Sequence, residues 1–158
     1  MCSAWVIFLT FGLALSVIDQ RQKRLPDVLT LPLYLILTLI LGLDSNFNHH
    51  GQRFLIAVVS SLLLALFYTL LNVISRGGMG LGDAKLALSV GLLAGYINAF
   101  TVFATTFTAF FLGALIGVVA IAIGKSTRKS ALAFGPFIFC GVLLGPWVSP
   151  SLEKLLHF

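Results

Sequence analysis

The sequence predicts an all-α, polytopic membrane protein of about six transmembrane helices, with a glycine-rich loop leading into helix four. Three observations carry this. Hydrophobic residues make up 59% of the 158 and charged residues only 9%, whereas soluble domains run at about a quarter charged. Mean hydropathy is +1.06. The apolar residues also gather into runs near the length that crosses a bilayer, about 20 residues rising about 1.5 Å each. About six such runs use up the chain and leave no room for a soluble domain.

Taken in order, the apolar runs lie at 4–18, 28–43, 54–74, 84–97, 99–123 and 131–148, separated by polar, glycine or proline punctuation. The first closes on Asp19, and Leu25-Pro26-Asp27 starts the second, with proline at a helix start and Asp27 as its cap. The fourth run is the shortest. Its break from the fifth rests on Gly95-Tyr96-Ile97-Asn98 alone, so a merged or re-entrant segment is the alternative there. Ser149 to Phe158 reads as a short terminal tail. Cys2 and Cys140 stand far apart in apolar surroundings, without paired spacing, and read as packing residues.

Cations orient the bundle. The loops after helices one, three and five hold Arg21, Lys23, Arg24, Arg76, Lys125, Arg128 and Lys129, seven of the ten basic residues, while the opposite loops hold only Arg53 and Lys154. The positive-inside rule then puts those three loops in the cytoplasm and both termini outside. The net charge of +5 is this bias, with anionic lipid as a further contact, and calls for no nucleic acid. A cleavable signal peptide over residues 1–18 is the rival reading, but that stretch lacks a basic leader and its cations follow the apolar run.

The chemistry points to the acids. Only five acidic residues occur in the chain, and Gly77-Gly78-Met79-Gly80-Leu81-Gly82-Asp83 delivers one to the mouth of an apolar helix. A charge near hydrocarbon costs about 2.5–3.5 kcal/mol on insertion scales, so such an acid is a functional candidate by default. On the expected topology Asp19 ends helix one and Asp83 begins helix four at the same face. Two carboxyl groups held close cannot both ionise, and so supply an acid and a base together, the minimum equipment of an aspartyl protease. The bland readings are a first-turn acid favoured by the helix dipole for Asp83, and an interfacial acid paired with Arg21 or Lys23 for Asp19.

The run from Asp19 to Asp27, then Leu29-Thr30-Leu31-Pro32, then Gly80-Leu81-Gly82-Asp83-Ala84-Lys85-Leu86, and finally Phe134-Gly135-Pro136-Phe137, resembles the type IV prepilin peptidases, a branch of the GxGD intramembrane aspartyl proteases. The resemblance covers nearly the whole chain. It implies that the family's two catalytic aspartates fall on Asp19 and Asp83, and that the substrate is a pilin-like precursor whose short basic leader is cut at the cytoplasmic face. Larger members carry paired cysteines in an N-terminal insertion and also methylate the new N-terminus. Here helix one starts almost at Met1 and no CxxC occurs, so a short, peptidase-only form with one transmembrane peptidase domain over residues 1–158 is expected.

Around the pair, Gly80 and Gly82 suit an irregular loop pressed against helices or an extended substrate, the alternative being a flexible linker. Asp27 is the reserve acid should Asp19 fail. Lys85, two positions after Asp83, points away from the carboxylate on a helix and suits interface anchoring or substrate contact. Gly113, Ala114 and Gly117 offer a small-residue face for a substrate helix. His49 and His50 belong to an external loop and His157 to the tail. No cluster has metal-ligand spacing, so no metal or cofactor is expected. A transporter-like subunit or a non-catalytic pilus-assembly protein are the competing classes.

Overall fold

In the computed structural model, residues 2–22, 27–75, 80–124 and 134–156 are described, and they form six helices. These are α1 (Cys2–Gln22), α2 (Asp27–Phe47), α3 (Gly51–Ile74), α4 (Leu81–Ile97), α5 (Ala99–Ala122) and α6 (Gly135–Leu156). No strand occurs among the described residues. Four segments are long and apolar enough to cross a membrane by themselves: Val28–Phe47, Gly51–Ile74, Ala99–Ala122 and Gly135–Lys154. The apolar part of α1, Ser3–Asp19, is shorter.

In α2, Thr30, Leu33, Leu37, Leu41 and Ser45 are buried, while Leu31, Leu35, Leu39 and Leu43 are exposed. Steps of three and four residues put the first set on one face, and the second set faces outward. Large apolar side chains exposed in this way, up to 82% for Trp147, would aggregate in water and are at home in lipid.

Helix α4 has no polar face to offer solvent, and it sits in the middle, packed on α2, α3, α5 and α6. Every residue from Gly91 to Tyr96 is buried. Close approach to α3 depends on two glycines one turn apart. A Cβ on Gly91 would lie 2.6 Å from the Ser61 Cα, and one on Gly95 would lie 2.9 Å from the Ala57 Cα. The same device joins α6 to α5, where a Cβ on Gly141 would come within 2.6 Å of the Thr105 carbonyl oxygen and one on Gly145 would run into the Thr105 side chain. Small residues spaced by four are the usual means of bringing helices together where lipid removes the hydrophobic drive.

The junction between α4 and α5 is a true break. Asn98 takes extended backbone and its Oδ1 accepts from the Thr101 backbone N–H at 2.7 Å and the Thr101 hydroxyl at 2.9 Å, capping α5. The merged alternative is thereby removed. At the C-terminus the expected tail is helical instead, because α6 runs on through Pro146 and Pro150 to Leu156. Prolines inside apolar helices are tolerated when neighbours satisfy the freed backbone. The buried Ser149 hydroxyl, 3.5 Å from that of Thr101, holds this last stretch to α5.

Candidate active site

Asp19 falls in the last turn of α1 and Asp83 in the first turn of α4, and both are buried, at 4% and 5% exposure. Their carboxyl groups lie within electrostatic reach of one another. The two acids singled out in the sequence thus lie at one end of the bundle, contributed by helices that are not neighbours in the chain.

Each carboxylate is held by backbone. Gly80, in extended conformation, is the N-cap of α4, and the Asp83 N–H donates to its carbonyl at 3.1 Å. The Asp83 side chain reaches back to the Gly80 backbone, the acid's half of a capping box. The first-turn role expected of Asp83 is therefore real, and it sits beside the pairing with Asp19. Asp19 is held from farther away. The backbone N–H of Gly135, at the start of α6, donates to its Oδ2 at 2.8 Å.

Aromatic rings close the site on one flank. Phe134 stacks at a slant 4.9 Å from Phe110 and lies 6.4 Å from Tyr68, whose ring is 5.7 Å from Phe110. Tyr68, buried on α3, is near enough for the Asp83 charge to bear on its phenol. Neither Tyr68 nor the part played by Gly135 was visible in the sequence. A tyrosine within an apolar run gives no sign of which face it takes.

The remaining sequence candidates fall out as follows. Gly80 and Gly82 are described, and neither takes left-handed backbone: Gly80 has φ −67° and Gly82 lies within the first turn of α4. Lys85 is half-buried on α4. Asp27 opens α2, but its side chain lies outside the described residues, as do residues 23–26, 76–79 and 125–133 with most of the orienting cations. Gly113 is not open to a substrate helix, because the Phe134 ring occupies its face, 2.8 Å from where a Cβ would stand. Gly117 is open. Asp44, which the sequence did not flag, lies at the opposite end, bonded to Tyr96.

Comparison with known proteins shows the family. Residues 6–122 match the type IV leader peptidase family. A protein named prepilin leader peptidase/N-methyltransferase from Pseudomonas putida is 33% identical over 152 residues, covering 92% of this chain and 51% of its own. The protein of the same name from Neisseria gonorrhoeae is 38% identical over 83% of this chain and 43% of its own, and that from Escherichia coli K12 is 29% identical over 92% and 65%. The chain spans about half the length of the two Pseudomonas relatives, at 51% and 52%. No solved structure matches significantly. With most of its length matched by the family and similar proteins on every side of that match, the chain belongs to the type IV leader peptidase family.

Proposed function

We propose that the chain is an aspartyl endopeptidase that removes the leader from pilin-like precursors, with Asp19 and Asp83 as its catalytic pair. The observation that carries the reading is that these two buried carboxyl groups, each held by a backbone group, lie within electrostatic reach of one another at one end of a membrane bundle.

The chemistry follows from a shared proton. The ionised member takes a proton from a bound water while the protonated member hydrogen-bonds the scissile carbonyl. Water adds to the carbonyl carbon, and as the C–N bond breaks a proton passes to the leaving amine. No covalent intermediate or cofactor is required. The whole of residues 1–158 acts as one transmembrane peptidase domain, and the proposal is confined to the peptidase reaction.

The loop-cation bias supports a site facing the cytoplasm of the cell membrane, where a precursor's basic leader waits while its apolar helix stays in lipid. The precursor and membrane lipid are the partners; nothing in the charge pattern calls for nucleic acid.

The test is cleavage of a co-purified pilin-like precursor by the full chain in nanodiscs. Asp19→Asn and Asp83→Asn should each lower the rate on the order of 100- to 10,000-fold, the usual worth of a general acid or base, with the protein still inserted and folded. Near wild-type cleavage by either variant removes that residue from the pair. Asp27→Asn should keep substantial activity, since asparagine also caps helices well.

A further inference from the structure

Helix starts leave backbone N–H groups without an intrahelical acceptor. At the start of α6 one of them, on Gly135, is satisfied by a side chain from the far end of the chain, Asp19 on α1, at 2.8 Å. Among the described residues this is the hydrogen bond Asp19 makes, through Oδ2. The bond fixes the rotation of the carboxyl group and leaves Oδ1 for water or substrate.

The fit has no slack. A Cβ on Gly135 would stand 2.7 Å from the Asp19 Oδ2 and 3.1 Å from its Cγ, so any other residue there must push the carboxyl group or the helix aside. The peptide that donates is itself anchored. Phe134, immediately before it, is wedged against Phe110 of α5 and Tyr68 of α3, in the notch left by Gly113. Pro136, immediately after, holds the first helical turn, where its missing N–H costs nothing. The orientation of an acid on α1 is therefore set from α3, α5 and α6.

The geometry points to Gly135 as a positioning residue for Asp19, its N–H aiming the carboxylate and its missing side chain making the room. This rests on the reading of Asp19 as one of the catalytic pair.

The experiment measures kcat, KM and thermal unfolding for the full chain in nanodiscs with a pilin-like precursor. Gly135→Ala should lower kcat about tenfold or more with KM within about twofold, since a misplacement of about 1 Å can cost on the order of 100-fold in rate. Gly141→Ala is the matched control, six residues along α6 from Gly135: its Cβ meets the Thr105 backbone of α5 at 2.6 Å and touches neither acid. It should unfold at lower temperature but lose much less kcat per folded enzyme than Gly135→Ala does.

Unfolding is compared in two backgrounds. In Asp19→Ala the atoms nearest the new Cβ are gone, so adding Gly135→Ala there should cost much less stability than in the wild type. Should Gly135→Ala alone fail to fold, the Asp19→Ala/Gly135→Ala chain should fold. A double variant that also fails would make Gly135 a packing residue and overturn the proposal. So would wild-type kcat in Gly135→Ala while Asp19→Asn is inactive, an outcome that leaves the catalytic pair intact. An active Asp19→Asn would instead overturn the pair, and the positioning role with it.

Discussion

The Tyr96 hydroxyl donates a 2.6 Å hydrogen bond to the Asp44 carboxylate, tying the last turn of α4 to the last turns of α2 at the end of the bundle opposite Asp19 and Asp83. Tyr96 is buried, so the bond fixes the central helix along its axis at the end away from the two acids. Tyr96→Phe keeps the ring and removes the donor. It should lower stability by about 1.5–3 kcal/mol, the usual net worth of a hydrogen bond to a charged group, with kcat unchanged. Thermal unfolding in detergent, read beside cleavage rate, checks both halves. A loss of kcat at full stability would show that this end of α4 communicates with the acids.

Overpacking between α3 and α4 should act differently. Gly91→Ala places a Cβ against the Ser61 backbone at 2.6 Å, where no flexible side chain can swing away. The two helices must separate, at about 1–3 kcal/mol, typical of an overfilled core. Gly117→Ala meets nothing within 4 Å and should be neutral by the same unfolding measurement.

At Gly80 the expectation changes with the backbone. Its φ of −67° is open to any residue, and a Cβ there would sit 3.6 Å from the Asp83 Oδ2, an ordinary contact. Gly80→Ala should therefore fold as the wild type does and leave Asp83 in place. Because Gly80 is exposed beside the acids, crowding there should act on the approaching substrate, raising KM several-fold with kcat little changed. A fall in kcat at constant KM would place the effect on Asp83 instead.

Orientation can be read by labelling. In a background with Cys2→Ser and Cys140→Ser, Gln22→Cys and Thr127→Cys should be shielded from impermeant thiol reagents outside intact cells, and Asn48→Cys should be labelled. The basis is the split of loop cations, seven against two. Labelling at position 22 from outside would put Asp19 on the wrong face for leader cleavage.

The sequence by itself determined the number and order of the helices and the two acids to watch. Run length and punctuation are local properties: the expected span 54–74 falls within α3 at Gly51–Ile74, and 99–123 differs from α5 by one residue. An acid in an apolar run is equally conspicuous without a structure, and Asp19 and Asp83 were legible for that reason. Where local signals misled, it was at Pro146 and Pro150, which read as a helix end in the sequence and which α6 runs through.

Only the tertiary structure decided which faces meet. In water an amphipathic stripe announces the buried side of a helix, but in lipid the outward and inward faces are both apolar and the stripe fades. Nothing local therefore says that Phe134 fills the notch at Gly113, that Tyr96 finds Asp44, or that the N–H of Gly135 reaches Asp19 across the whole chain. Those pairings are settled by how closely glycines let helices approach, which depends on both partners at once.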